Sequence, residues 1–417
     1  VSAAIGPDEG ETARGPGLFR SGVVLAVAVG VANALNAAFQ FGLARILDPS
    51  EYSLLAALLA VVFVAAIPPL AFQATTARAV ASDLARGDAS SAGGVLRSTL
   101  RSVLSWTVVL LLVAAVAVPL AAAAGMGQPL ALGATIATIA IALAIPVVFG
   151  GLQGAGRFDA LGGAHLCFAG SRLAAGVAIG LAGGGVAAVM LGVAGATVFT
   201  AIVTSAPLRS LLVVARDIGG RSLATRPNVG AAVGLTALWA LIYGDLLVAG
   251  LSFSGNEAGS YAAASVGARV LLLVPIAVTT VLFPRVATLH DRWRERRHLL
   301  AGLATVAGAG ALTVACLWAF SGTLIDLAFG PNYSDAGMWI GPLGVAMALY
   351  GLTMVYLYHF LALGRLRFSG VLVGLLAAQI ATYAVLHATP ADLIGIQIGF
   401  AAASVLSAEL WYLLRHR

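Results

Sequence analysis

The residues best able to do chemistry in this chain stand isolated in apolar surroundings. In the run TALWALIYGDLLVAGLSF, residues 236–253, Asp245 is the one carboxylate. Arg172 falls near the middle of another apolar run, and Arg269 lies about two turns into a third. Ionisable side chains within membrane segments are costly; they face a bundle interior, a water-filled cavity or an opposite charge. A guanidinium stays charged and presents a planar fork of donors that suits phosphate and carboxylate oxygens. Each arginine therefore either contacts an anionic ligand or pairs with Asp245 or helix carbonyls as structural glue. For Asp245 the alternatives are a proton or sodium coupling site, an arginine partner, or a ligand contact. Arginine pairing is the most economical, because it neutralises two buried charges at once.

Asn33, Asn36 and Gln40 fall within about 60° of one another on a helix with 3.6 residues per turn. This amide stripe is expected to line a cavity, with bonding to a neighbouring helix as the alternative. His165 and His359 read as helix-packing groups rather than proton relays, and Glu409 as reaching headgroup water. No metal-ligand cluster, Walker-type glycine loop, nucleophile elbow or paired-carboxylate motif appears in the sequence. No enzymatic chemistry, metal or cofactor is expected.

The elements that must position these groups follow from composition. Of 417 residues, 60% are hydrophobic and only 10% are charged, where a soluble domain carries about 25% charged residues. Mean hydropathy is +0.99. Apolar runs of about 20 residues recur from end to end, each long enough to cross about 30 Å of hydrocarbon. The fold class is all-α integral membrane. The net charge of +6 comes from arginine alone, because the chain has no lysine. Those arginines are scattered over short loops, which is no nucleic-acid footprint. Cys167 and Cys316 lie in apolar runs and imply no disulfide framework. The polar N-terminal segment does not read as a signal peptide.

Twelve transmembrane helices are expected: Gly22–Ala44, Ser53–Phe72, Val103–Ala124, Leu130–Leu152, Ala160–Leu181, Gly185–Pro207, Val229–Phe253, Tyr261–Phe283, Leu299–Phe320, Ala336–Leu361, Ser369–Leu386 and Ala391–Leu414. The division between the fifth and sixth rests on LAGGGV alone. With twelve spans nearly every loop arginine falls on one side, and Asp48, Glu51, Glu257, Asp326, Asp335 and Asp392 fall on the other. That asymmetry places both termini in the cytoplasm of a multi-pass cell-membrane protein. The organisation is a disordered cytoplasmic N-terminus (1–20), an N-lobe of helices 1–6 (21–207), a cytoplasmic linker (208–228) and a C-lobe of helices 7–12 (229–417).

The halves repeat. Aligning Tyr52 with Tyr261 matches an acidic loop, a tyrosine opening the next span, a proline near its end (Pro68, Pro275) and an arginine ten residues beyond (Arg78, Arg285). GAGRFDALGG around Arg157 matches LALGRLRFSG around Arg365. Two six-helix bundles in the same orientation form a parallel pseudo-two-fold repeat, with ligand sites expected between the halves. Asp245 and Asn36 each stand sixteen residues before the aligned tyrosine, hence at equivalent depth. Pro68 and Pro275 are expected bending points, or static kinks. Pro146 and Pro342 also lie within spans.

FGLARILDPSEYSLLAALLAVVFVAAIPPLAFQATTARAVA, GNEAGSYAAASVGARVLLLVPIAVTTVLFPRVA and LAFGPNYSDAG resemble segments of the bacterial polysaccharide biosynthesis (O-antigen-type) flippases. Those belong to the multidrug/oligosaccharidyl-lipid/polysaccharide exporter superfamily. The resemblance covers most of the chain. It implies a V-shaped, alternately opening cavity that exports a polyprenyl-pyrophosphate-linked oligosaccharide. It also implies membrane lipids and the pathway's glycan polymerase or glycosyltransferases as partners. The cavity residues would be Arg172, Arg269, Asn33, Asn36, Gln40 and Asp245. Arg45, Arg78 and Arg285 would meet headgroups or draw substrate to the mouth, Arg45 by snorkelling. The rivals are a cation-coupled multidrug exporter of the same superfamily, a membrane-embedded glycan polymerase or glycosyltransferase, and an inactive scaffold. The short acidic-side loops argue against a catalytic domain there.

Overall fold

The computed structural model describes residues 15–124, 128–215, 226–286 and 292–416. The expectations for residues 1–14, for the linker centre 216–225 and for the Arg285 side chain lie outside the described residues. Twelve described helices are long and apolar enough to cross a membrane. In the N-terminal half they are α1 (Gly22–Ile46), α2 (Pro49–Ala85), α3 (Ala89–Ala123), α4 (Pro129–Gly154), α5 (Phe158–Leu181) and α6 (Val186–Val213). In the C-terminal half they are α7 (Val229–Ser252), α8 (Gly255–Thr280), α9 (Trp293–Ala319), α10 (Ala336–Ala362), α11 (Phe368–Val385) and α12 (Pro390–Leu414). The doubtful division is real: Gly183 turns the chain between α5 and α6 at φ +78°, which a side chain would disfavour.

Hydropathy placed the end of α2 and the start of α3 too far apart, at Phe72 and Val103. Both helices run on past the apolar stretch into a helical hairpin closed at Asp88, whose carboxylate caps the Ser91 amide at 2.9 Å. Prolines set the breaks. α2 is interrupted at residues 66–69, at Pro68 and Pro69. α4 breaks at Leu143, three residues before Pro146. α8 tightens into a 3-10 turn over Arg269–Leu272, ahead of Pro275. In each case proline supplies no amide and crowds the carbonyl four residues back, so the α-helical ladder cannot continue unbroken. Pro342 lies within α10 without interrupting it.

The packing repeats by six. α1 packs on α5, α2 on α3 and α4, α3 on α4, and α6 on α4 and α5. The same pairs recur as α7 on α11, α8 on α9 and α10, α9 on α10, and α12 on α10 and α11. Leu104, Val108, Leu112 and Val116 on α3 turn outward and are exposed, as befits a lipid-facing surface. One buried apolar cluster fills the C-terminal half and continues across the seam into the first half, while a second fills the region around Leu96, Val148 and Leu152.

Candidate functional site

The halves meet along α2, which packs against both α7 and α8. Phe63 of α2 stacks on Tyr243 of α7 at 4.7 Å between centroids and meets Trp239 edge-on at 5.1 Å. Pseudo-symmetry would place an equivalent seam between α1 and α8. There the structure instead holds a cavity of about 500 Å³. Asn33, Asn36 and Gln40 line it from α1, Phe63 from α2, Tyr243 from α7 and Arg269 from α8. The amide stripe read from helical angles thus faces the space between the halves. The Gln40 carbonyl oxygen is buried with no hydrogen-bond partner.

Arg269 is the group that Asp245 answers. Its Nη2 lies 2.6 Å from Asp245 Oδ1 and donates to the Ile242 carbonyl at 2.8 Å. Its Nη1 donates to Ser265 Oγ at 2.5 Å, and the guanidinium sits 4.4 Å from the Tyr243 ring centroid. The other carboxylate oxygen accepts from Ser265 Oγ at 2.5 Å and from the Tyr261 hydroxyl at 3.2 Å. Asp245 is 0% exposed. Tyr261, Ser265 and Arg269 are four residues apart, so one face of α8 presents all three to α7. The 3-10 turn imposed before Pro275 begins at Arg269 itself.

Arg172 on α5 goes elsewhere. Its Nη1 donates to Asn36 Oδ1 at 3.4 Å, and its guanidinium lies over the rings of Phe39 (5.0 Å) and Phe168 (5.4 Å). Among the described residues it has no carboxylate within ion-pair distance, and its Nε is buried without a partner. It stands one side chain behind the cavity wall. Asn36 and Asp245, equivalent in the repeat, are thus held differently: one by an arginine of α5, the other by α8.

Two sequence readings need correction, those of Arg45 and Glu409. Arg45 does not snorkel to headgroups: it crosses to the other half and donates to the carbonyls of Asp326 (3.2 Å) and Leu327 (2.5 Å). Those carbonyls end the short helix Ser321–Ala328, where unpaired acceptors and the helix dipole attract a cation. Glu409 does not reach for water but accepts from the Tyr356 hydroxyl. His359 pairs with the nearly buried Glu295 at 3.1 Å, which binds α10 to α9. His165 packs edge-on to Phe149, as a packing group would. Arg78 is exposed at the basic end of α2, and Pro68 is exposed beside the seam.

Arg45 belongs to a larger closure on the acidic side. The Tyr333 hydroxyl donates to the Ala44 carbonyl at 2.7 Å, and its ring meets Tyr52 and Phe329, which in turn meets Phe41. Burial first, then the nearby Asp48, push the Tyr333 phenol's ionisation upward, so it remains a donor. Here water is near, and each of these rings contributes about 1.5–3 kcal/mol by staying buried. Against that, the exposed Arg45 bonds add little. Arg45→Ala is expected to shift the equilibrium toward opening on this side by about 1 kcal/mol, roughly fivefold in population. Spin labels at positions 48 and 257 would read this as growth of a longer-distance population. An unchanged distribution would show that Arg45 holds nothing.

No protein-family model matches the chain, and no curated protein sequence matches it. Solved structures do. An inward-facing multidrug resistance MATE family transporter of the MOP superfamily aligns at TM-score 0.71 and 17% identity, over 94% of this chain and 97% of that one. An outward-facing structure of such a transporter aligns at 0.62 and 16% identity, over 97% and 98%. A MOP superfamily transporter from Pyrococcus furiosus, described as having a binding pocket of reverse polarity that suggests a different function, aligns at 0.61 and 17%, over 95% of each chain. The chain has the twelve-helix, two-lobed membrane fold of these transporters.

Proposed function

We propose that the protein flips a polyprenyl-pyrophosphate-linked oligosaccharide from the inner to the outer leaflet of the cytoplasmic membrane for surface polysaccharide biosynthesis. It does so by alternating access between two lobes, with its basic side in the cytoplasm. The observation that carries this reading is the lining of the cavity between α1 and α8. Amides of Asn33, Asn36 and Gln40 suit sugar hydroxyls, and guanidinium groups in and just behind the wall suit a pyrophosphate. Beside the cavity, sharing Ala60 and Tyr243 with it, lies an apolar groove of about 660 Å³ between α2, α7 and α11. It offers hydrocarbon surface for a lipid tail. With the acidic side closed and the basic side taken as cytoplasmic, this reading makes the conformation an inward-facing one. Glycosyltransferases would supply the substrate on the basic side, and a glycan polymerase would consume it on the other.

A multidrug exporter on the same fold is the second reading, favoured by the names of the solved relatives. A cationic drug needs a carboxylate free to receive it. Asp245 has both oxygens occupied by Arg269, Ser265 and Tyr261. One fold hosts many functions, so pocket chemistry decides between them.

The test is flipping in proteoliposomes of a prenyl-pyrophosphate-linked disaccharide, read by access of an external glycosidase. Arg172→Gln should slow flipping about tenfold or more, because it removes the positive charge behind the wall and the charge-assisted bond that orients Asn36, worth about 1.5–3 kcal/mol. Equal rates for wild type, Arg172→Gln and Asn36→Ala would refute the assignment, and transport of a cationic dye by the wild type would favour the rival.

A further inference from the structure

We propose that Asp245 is a tethered competitor of the anionic substrate: an anion that captures Arg269 displaces the carboxylate, and Asp245 then takes up one proton. This rests on reading the cavity as an anion site. Arg269 lines the cavity and holds a buried acid at the same time. Its Nε is buried without a partner, so the pair leaves part of the donor fork unused. A phosphate entering the cavity engages that fork and competes with the carboxylate for it.

The loser of that exchange cannot stay as it was. Asp245 is fully enclosed, and without Arg269 it keeps only the neutral donors Ser265 and Tyr261. An uncompensated carboxylate in such a place costs several kcal/mol, and the group neutralises instead. The titratable groups that face it are phenols: Tyr243 on its own helix, Tyr261 on α8, Tyr350 on α10 and Tyr383 on α11. Arg269 is the cation that acts on all four. From α12 the neighbour is Gln397, which donates to the Leu241 carbonyl. Among the described residues no second carboxylate is there to share the proton. The phenols already hold their protons well below pH 10, which leaves the displaced carboxylate as the group that can accept one. The Ile242 carbonyl, now bonded to Arg269 Nη2, is released in the same move and can accept the new hydroxyl.

The balance is simple. One proton from the aqueous phase converts the carboxylate to the acid as the anion binds. When the anion leaves, Asp245 returns the proton and closes again on Arg269. The carboxylate thereby expels the anion at release, which a permanently free arginine would not do.

Isothermal titration of the full-length protein in detergent with geranylgeranyl pyrophosphate, at about pH 8 in two buffers of different protonation heat, counts the protons. At that pH the phosphates are ionised, their second ionisation lying near about 6. The wild type should take up about one proton per ligand, and its apparent Kd should weaken about tenfold per pH unit above neutrality. Asp245→Asn should bind more tightly, with no uptake and no such slope. Binding without proton uptake by the wild type, or equal uptake by both proteins, would overturn the inference and leave the anion site standing. No binding by either would overturn the anion site and the inference together. If the asparagine variant does not fold, the wild-type proton count alone decides.

Discussion

Arg269→Ala is expected to destabilise the protein by about 3–5 kcal/mol, the cost of leaving one partner of a buried ion pair alone. The carboxylate left behind is 0% exposed, so water cannot replace the lost guanidinium. The loss should ease as pH falls, because the protonated acid is neutral. Arg269→Gln combined with Asp245→Asn should recover most of the stability, since neutral amides can keep hydrogen bonds without the charge penalty. Flipping should stay lost in the double variant, which has no cation facing the cavity from α8. Thermal unfolding in detergent checks the first part and the proteoliposome assay the second. A single variant that melts like the wild type would mean that the pair is neither dry nor strong.

Gly259→Val is expected to abolish transport while leaving both lobes folded. A side-chain carbon at this position would fall 2.4 Å from Pro49 Cβ, 2.6 Å from the Pro49 carbonyl oxygen and 2.7 Å from Pro49 Cα. Two of these are backbone atoms at the start of α2, so no rotamer change relieves the clash. Gly259 lies on α8 and Pro49 on α2, and the obstruction therefore sits between the lobes, on the acidic side. The seam could not close there, and the state with that side sealed would be removed from the cycle. Spin labels at positions 48 and 257 should report only the longer separation. Normal flipping would show that the approach of α8 to α2 is not required.

Span number and the parallel repeat were legible in the sequence, because apolar runs and loop arginines are read by the same bilayer physics that sets the fold. The ends of α2 and α3 were not, since the residues between Phe72 and Val103 are too polar to read as a span yet stay helical to Ala85 and again from Ala89, where Asp88 caps the second helix. In the site, the amide stripe followed from helical angles alone. The partner of Asp245 was also within reach: Tyr261, Ser265 and Arg269 form a four-residue register that no apolar helix needs. Arg45 was not legible, because its acceptors are backbone carbonyls 281 and 282 residues away. Nor was the difference between the two seams, because a repeat writes the same pattern twice.

The break in α8 has a mechanical meaning. Any change in its bend ahead of Pro275 turns the backbone that carries Arg269 relative to α7, and so stretches or relaxes the contact with Asp245. Shape and charge are geared to each other at that residue. The protein cannot flex there without an electrical cost, and a substrate that alters the electrical balance supplies a torque.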